Sequence, residues 1–187
     1  MRKGEYITTY TGTNFYIIDP RIDDIKELDI AHALSLTCRA NGHFKHFYSI
    51  AQHSMNCFAE AKARGYSERV QLACLLHDGS EAYISDITRP AKVHIPQYLE
   101  IEKTIQSKVY EKFGISNLTN EELKQIADVD DVALYYEFEA LHNMQMWYDK
   151  PSKFADFNFE FRNMQEVENE FLEKIRVNHF SCGIDQL

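Results

Sequence analysis

The sequence predicts an all-α fold with a short N-terminal β-hairpin. Two capping boxes indicate helix starts, because Ser49 is followed at the third position by Gln52, and Thr119 by Glu122. Behind each start, apolar residues recur at the spacing of a buried helix face. The predicted helices cover about residues 29–40, 49–64, 67–78, 96–113, 120–146 and 163–178, with Asp29 and Ser67 as further N-caps.

The hairpin is predicted from the β-prone residues 6–18, which flank the turn sequence TGTN. Because it is so short, it is expected to cover the helices within residues 1–20 and not to form a core sheet. Two later stretches, residues 41–48 and 84–95, break the helical spacing. Loops of this kind beside a buried site often carry substrate contacts.

Residues 150–163 mix phenylalanine with aspartate in PSKFADFNFEF. They predict an extended wrap onto the helical body, so that residues 150–187 form a C-terminal wrap and helix. An exposed oligomer contact is the alternative for this segment. The length of 187 residues suits one hydrophobic core, so a single domain is predicted over residues 1–187.

The composition argues against several partners. A formal net charge of −9 without a long basic run disfavours nucleic acid. No stretch approaches the roughly 18 apolar residues of a membrane span, and the N-terminus lacks a secretory signal, so no membrane partner and a cytoplasmic location are expected. Cys38, Cys57 and Cys74 lie in apolar helical segments and are expected to be reduced, whereas Cys182 is given no role.

The pair His77-Asp78, at the end of the apolar run VQLACLLHD, is the strongest functional signal. An imidazole beside a carboxylate offers a divalent cation one nitrogen and one oxygen ligand. His53 is the candidate third ligand, because it shares the inward stripe of its helix with Ile50 and Cys57. A core histidine with one hydrogen-bond partner is the alternative, which only the wider ligand pattern disfavours.

Asp130 is the candidate fourth ligand. It lies with Glu137 on the apolar stripe of the helix that follows Thr119, so both carboxylates are expected to face the interior. A buried carboxylate is costly unless a cation or hydrogen bonds compensate. A frayed helix with solvated aspartates is the alternative.

This ordered set of histidine, adjacent His-Asp and distant aspartate resembles the HD-domain phosphohydrolases. The stretches DIAHALSLTCRANGHFKHFYSIAQHS and LLHDGSEAYISDITRPAK resemble the branch of bacterial 5'-deoxynucleotidases and phage dATP triphosphohydrolases. With the opening TYTG and the later DDVALYYEFEAL, the likeness covers most of residues 8–142. It implies an HD-domain helical bundle, in a bacterial cytoplasm or in the host cytoplasm for a phage protein.

The resemblance also implies one divalent metal ion, bound by His53, His77, Asp78 and Asp130 next to the reacting phosphate. Mn, Co, Fe, Zn and Mg are the candidates, because two nitrogens and two carboxylates do not select one of them. Such a cation polarises phosphoryl oxygens and lowers the pKa of a bound water.

By the same resemblance, Glu81 and Asp86 would orient or deprotonate the attacking water, while Arg39, His43 and Lys92 would contact the substrate. These charge types suit phosphoryl transfer, which depends on positioning and on neutralising negative charge. A surface acid at Glu81, a turn cap at Asp86, and solvated side chains at Arg39 and Lys92 are the alternatives.

The chain departs from the family pattern at two positions. Ala40 stands where an aromatic residue is common, so a stacking contact is missing unless Phe44 or Tyr48 replaces it. Gln52 stands where the deoxynucleotidases have glutamate, which removes a charge near the metal and leaves the capping role intact.

The predicted function is metal-dependent hydrolysis of 2'-deoxynucleotides. The compact form with its TYTG opening favours a dATP triphosphohydrolase that yields deoxynucleoside and triphosphate, and a 5'-deoxynucleotidase acting on dNMPs is the alternative. A triphosphate would need extra cations, which the chain could supply from His43, Lys45, Arg39, Arg89 and Lys92. A catalytically silent HD scaffold is the alternative of another class. A homo-oligomer is expected, because related enzymes form dimers or rings.

Overall fold

The computed structural model describes residues 2–146 and 149–181. Strands β1 (Tyr6–Thr8) and β2 (Asn14–Tyr16) form an antiparallel pair with Tyr6 opposite Tyr16. The helices are α1 (Glu27–Leu36), α2 (Ile50–Ala63), α3 (Glu68–Leu76), α4 (Glu81–Ile84), α5 (Arg89–Lys92), α6 (Pro96–Lys112), α7 (Asn120–Leu141) and α8 (Met164–Ser181). The predicted helical bundle with a short hairpin is therefore confirmed. Cys182 lies outside the described residues.

Side-chain caps start three of the helices as predicted. Ser49 Oγ accepts from the Gln52 N–H at 3.2 Å, and Gln52 Oε1 accepts from the Ser49 N–H at 3.3 Å. Thr119 and Glu122 repeat this capping box at α7, and Ser67 caps α3. These local bonds satisfy backbone N–H groups that a helix leaves unpaired at its first turn.

The predicted first helix was wrong at both ends. Asp29 is not an N-cap, because α1 begins at Glu27 and the buried Asp29 carboxylate instead accepts hydrogen bonds from the hairpin turn. Its donors are Thr9 Oγ1 at 2.8 Å, Thr11 N–H at 2.7 Å and Thr11 Oγ1 at 2.9 Å. The helix ends at Leu36, because the chain then forms a β-bridge to the residue before α2. Asp29 thus fastens the hairpin onto the helical body.

Two predicted loops contain helical turns. Residues 84–95 hold the short helix α5 and the end of α4, with Ser85 between them at a positive φ of 65°. Residues 39–42 form a 3-10 turn in which Ala40 and Asn41 take the left-handed conformation. Cys38 precedes this turn and is half-buried, so its predicted place inside a helix was wrong, whereas Cys57 and Cys74 are buried and free.

The main core lies between α1, α2, α3, α7 and α8. Leu34, Leu72 and Val129 are among its fully buried side chains. Each large apolar side chain buried in this way contributes roughly 1.5 to 3 kcal/mol to folding. Within the described ranges, no helix combines the length and apolar character needed to cross a membrane.

Residues 150–163, here called the C-terminal strap, run along the outer face of α2 without regular secondary structure. Three buried polar residues of α2, spaced four apart, bind the backbone of the strap: Gln52, Asn56 and Glu60. Gln52 Nε2 donates to the carbonyl of residue 160, Asn56 binds residue 158 through both amide atoms, and Glu60 accepts from the N–H groups of residues 154 and 155. The strap therefore holds the helix that carries His53.

Candidate metal centre

His77 and Asp78 leave the core at the end of α3, where His77 is the C-cap. The preceding Leu75 and Leu76 are fully buried, so the apolar run anchors the pair. His77 Nδ1 lies 2.7 Å from the carbonyl oxygen of Cys74. A hydrogen bond donated there leaves Nε2 free to face a ligand on the opposite side of the ring.

His53 is fully buried on α2. Its Nδ1 lies 2.6 Å from Oε1 of Glu137, a carboxylate on α7 that is also fully buried. A histidine that donates one ring N–H to a carboxylate has the orientation common among metal-binding histidines. His53 Nε2 is thereby directed at His77 Nε2, 3.2 Å away.

The four predicted metal ligands converge. His53 Nε2 lies 3.1 Å from Asp130 Oδ1 and 3.7 Å from Asp78 Oδ2. His77 Nε2 lies 3.4 Å from Asp78 Oδ2 and 3.7 Å from Asp130 Oδ1. Nitrogen and oxygen ligands about 2.1 Å from one ion in a tetrahedron are separated by about 3.4 Å. The donor set therefore fits a single divalent cation.

Cys57 is a rival ligand, since donor atoms of His53, Cys57 and His77 lie within 4.8 Å of one another. Burial raises the pKa of its thiol well above the usual range, so a metal would first have to displace the proton of this sulfur. Burial also acts to raise the pKa of Asp130, but hydrogen bonds from the two histidines outweigh it and hold that pKa well below its usual range. The ionised carboxylates of Asp130 and Asp78 are the better match to the histidines.

The cluster attracts positive charge. Burial acts to lower the pKa of His77, but Asp78 and Asp130 raise it to about 9. The pKa of His53 is also raised, because Glu137 and Asp130 together outweigh burial and the nearby Arg39. A site that holds protons this firmly without a metal has the excess negative charge that a divalent cation would neutralise.

Arg39 lies beside the cluster, with its side chain 12% exposed. Nη1 donates to Asp78 Oδ2 at 3.3 Å and Nη2 to Glu137 Oε2 at 3.2 Å. The solvated alternative for this residue was therefore wrong. Glu137 joins Arg39 to His53, a role that sequence reasoning missed although it had placed Glu137 on the inward stripe of α7.

Glu81 is 4% exposed, so the alternative that it is a surface acid was wrong. Oε1 accepts from Lys92 Nζ at 3.2 Å, whereas Oε2 is buried without a hydrogen-bond partner among the described residues. Burial, Asp78 and Asp86 raise the pKa of Glu81 to about 9. Asp86 is half-buried in the turn after α4. The two proposed water-activating acids thus interact beside Asp78.

Lys92 is held between two acids instead of being solvated. Its second partner is Glu102 of α6, whose Oε1 lies 2.5 Å from Lys92 Nζ. Sequence reasoning missed Glu102, because it comes from a different helix. A lysine held here could contact a phosphate oxygen.

The remaining predicted substrate contacts lie further out. His43 is exposed in the turn after Arg39. Arg89 is 66% exposed, and its Nη2 lies 3.6 Å from Asp130 Oδ2 and 3.3 Å from Asp131 Oδ1. Lys45 Nζ donates to a backbone carbonyl at 2.9 Å. Of these three side chains, Arg89 is the one that the structure joins to a predicted metal ligand, within the residues described.

Neither suggested replacement for an aromatic residue at Ala40 is available. Phe44 is 8% exposed and packs edge-on against Phe138. Tyr48 is 1% exposed, and its hydroxyl accepts a hydrogen bond from Asn56. Both aromatic rings are buried in the protein interior, so neither replaces the stacking contact that Ala40 lacks.

Comparison with known proteins agrees with this geometry. A family model described as HD domain matches residues 34–176. The chain is 38% identical over 110 residues to the uncharacterised protein YfdR of Escherichia coli (strain K12), covering 59% of each chain. It is 33% identical over 138 residues to the uncharacterised protein RCAP_rcc00048 of Rhodobacter capsulatus, covering 70% of each. HD domains are generally metal-dependent hydrolases, and this chain belongs to the HD-domain phosphohydrolase superfamily.

Proposed function

We propose that the protein hydrolyses 2'-deoxynucleotides at this centre, with dATP triphosphohydrolysis as the leading reaction. The observation that carries the proposal is the convergence of four ligand atoms near the buried Glu81, whose Oε2 has no hydrogen-bond partner within the residues described. A binding scaffold needs the ligands alone. Water activation needs an acid or base beside them.

His53, His77, Asp78 and Asp130 would hold the divalent cation. When bound, it would polarise the phosphoryl oxygens and make a water more acidic near neutral pH. The chain provides the orientation of these ligands. Glu137 fixes the ring of His53, and the carbonyl of Cys74 fixes that of His77.

Glu81 would act on the attacking water through its free Oε2. In the metal-free protein its raised pKa keeps it protonated at neutral pH. Positive charge added beside Asp78 would favour the ionised form, because Asp78 is one cause of the raised pKa. Ionised Glu81, with Asp86 nearby, could then accept a proton from a water. Lys92 and Arg39 would contact phosphate oxygens and balance their charge.

The 5'-deoxynucleotidase alternative is favoured because several of the predicted phosphate-binding side chains are already bonded to other protein groups. Arg39 and Lys92 each bind two acidic side chains, and Lys45 binds a carbonyl. His43, Lys45 and Arg89 are the exposed members of the predicted set. A triphosphate carries more charge than a monophosphate, so the smaller substrate would need fewer of these contacts.

The decisive experiment incubates the protein, loaded with Mn or Co, with the four dNMPs and the four dNTPs and separates orthophosphate, pyrophosphate and triphosphate. Triphosphate released from dATP alone would support the leading reaction. Orthophosphate from several dNMPs would support the alternative. Bound metal without any product would overturn both and favour a silent scaffold.

A matched pair of variants tests the role of Asp86. Asp86→Asn is expected to lose turnover with its metal content unchanged. Asp128→Asn changes an exposed aspartate on α7 and is expected to keep turnover. Equal activities in the two variants would remove Asp86 from the proposed mechanism.

We further propose a homo-oligomer in which the strap contributes to the contact. Phe154 and Phe161 of the strap are 64% and 60% exposed, so two large apolar side chains face outward. Sedimentation of the wild type and of the Phe154→Ser/Phe161→Ser double variant tests this. Equal masses for the two proteins would count against the strap as the contact.

A further inference from the structure

The turn that carries His77 and Asp78 rests directly on α6. Gly79, the next residue, leaves no room for a side chain, because a Cβ there would lie 2.8 Å from Val109 Cγ1 and 2.9 Å from the Leu76 carbonyl oxygen. Distances below about 3.0 Å are not tolerated by real Cβ atoms. Glycine is therefore required by the close approach of α6.

Gln106 lies one turn before Val109 on the same helix and bonds to the same turn. Its Nε2 donates to the Leu76 carbonyl at 2.7 Å, and its Oε1 accepts from the Ser80 N–H at 2.9 Å. Leu76 is fully buried and Ser80 is 2% exposed, so water does not readily replace these bonds. The Leu76 carbonyl also accepts from the Gly79 N–H at 2.9 Å, so Gln106 adds a second bond, from another helix, to the turn that ends α3.

The two anchors bracket the metal ligands. His77 and Asp78 lie in sequence between the carbonyl of Leu76 and the N–H of Ser80. One planar amide, with a donor and an acceptor a fixed distance apart, holds the two ends of this segment against α6. Glutamate at the same position would provide only the acceptor, and leucine would provide neither.

We propose that Gln106 is a positioning residue of the metal centre, which fixes the turn that aims His77 and Asp78. The inference rests on the metal centre proposed above. Among the described residues no hydrogen bond joins Gln106 to the four ligand side chains, so it acts through the backbone that carries two of them. If Gln106 only capped α3, its substitution would lower the unfolding temperature and leave metal affinity and coordination unchanged.

The test compares Gln106→Leu and Gln106→Glu with Gln97→Leu, which changes an exposed glutamine on the same helix. Calorimetric titration with Mn2+ gives the metal Kd. The visible absorption of the Co2+-loaded protein reports coordination geometry, and thermal unfolding of the metal-free proteins reports stability.

We expect Gln106→Leu to raise the Kd about 10- to 100-fold and to change the Co2+ spectrum, as loss of a group that orients a ligand does. Gln106→Glu keeps the bond to Ser80 and should lie between Gln106→Leu and the wild type. Gln97→Leu should match the wild type in Kd and spectrum. If Gln106→Leu does not fold, Gln106→Glu decides by the same criterion.

A Kd within twofold of wild type and an unchanged spectrum in the Gln106 variants would overturn this inference and leave the proposed function standing. Absence of Mn2+ and Co2+ binding by the wild type would overturn both.

Discussion

Two buried glutamates lie near the candidate metal centre, and their surroundings differ. Both oxygens of Glu137 are bonded, one to His53 and one to Arg39. Burial acts to raise its pKa, but these two neighbours outweigh it and hold the pKa below the usual range. In the described part of the chain, Glu81 forms a hydrogen bond through Oε1 and none through Oε2, and its pKa is raised to about 9.

The difference separates a supporting role from a reactive one. A fully bonded, ionised carboxylate fixes its neighbours and is poorly placed to exchange a proton. A buried oxygen without a partner costs about 1 to 3 kcal/mol. Groups with strongly shifted pKa values in such a state are candidates for proton transfer. We therefore propose a supporting role for Glu137 and a reactive role for Glu81.

The largest expected effect is that of Glu81→Gln on turnover. The amide keeps the size of the side chain and cannot accept a proton from water. Activity should fall by about 10²- to 10⁴-fold, the usual contribution of a general acid or base. Metal content should stay at the wild-type level, which mass spectrometry of the loaded protein measures. Full turnover in Glu81→Gln would show that Glu81 does not take part in the reaction. Its proposed role would then no longer differ from that of Glu137.

Glu81→Gln should also change how the unfolding temperature depends on pH. Folded Glu81 titrates near 9, above its ordinary value of 4.5. Its contribution to the free energy of unfolding is fully present at pH values below the ordinary pKa of 4.5. That contribution is lost as the pH rises through the folded pKa of about 9. The metal-free wild type should therefore lose unfolding temperature more steeply than Glu81→Gln between pH 5 and pH 9. Parallel profiles in calorimetry would show that Glu81 is not held protonated. The raised pKa of His77 acts in the same direction, and comparison with the variant removes it.

Glu137→Gln, in contrast to Glu81→Gln, should mainly lower folding stability and metal affinity. It removes the negative partner of a buried arginine and of His53, and breaking a buried ion pair costs about 3 to 5 kcal/mol. Metal affinity should also fall about 10-fold or more, since His53 loses its orienting carboxylate. Glu139→Gln is the control, because the ion pair that the structure describes for Glu139 is an exposed one with Lys150. A stable Glu137→Gln protein with wild-type metal affinity would contradict the supporting role.

Sequence reasoning succeeded where the physical cause is local. Capping boxes need only side chains three residues apart, so Ser49 and Thr119 marked helix starts correctly. The apolar stripe of α7 likewise turned Asp130 and Glu137 inward. The four-ligand pattern came from the family resemblance, and the structure brought those ligands together.

The rest depends on contacts between residues distant in the chain. Asp29 has the sequence context of a cap, but the hairpin turn supplies better donors. Glu102 and Gln106 show no sequence signal for their contacts with residues 76–92, since both are ordinary polar residues in a helix. Which acid keeps an unpartnered oxygen is likewise decided by packing, not by residue type.

Metal removal should also distinguish Glu81 from Glu137, by a smaller difference in unfolding temperature. A bound ion at 100 times its Kd stabilises a folded protein by about 2.7 kcal/mol, so a chelator should lower the unfolding temperature of the wild type. Glu81→Gln keeps all four ligands and should show a similar drop. Glu137→Gln should show a smaller drop, since its unchelated form already binds metal weakly. Equal drops in all three proteins, measured by scanning calorimetry at one metal concentration, would show that Glu137 does not support the site.

The smallest expected effect is that of Arg89→Gln, which concerns the exposed approach to the centre. Arg89 is 66% exposed beside Asp130 and Asp131, and exposed ion pairs contribute 0 to about 1 kcal/mol, so the unfolding temperature should change by less than about 4 °C. If a triphosphate is the substrate, the KM for dATP should rise about fivefold while that for dAMP stays unchanged, because only the longer phosphate chain reaches an outlying cation. Arg176→Gln, which removes an exposed pair with Glu27, is the matched control. An equal rise for both nucleotides would show that Arg89 meets the phosphate they share. That result would favour the monophosphate as substrate. It would also place Arg89, beside Asp130, among the residues that contact the reacting phosphate.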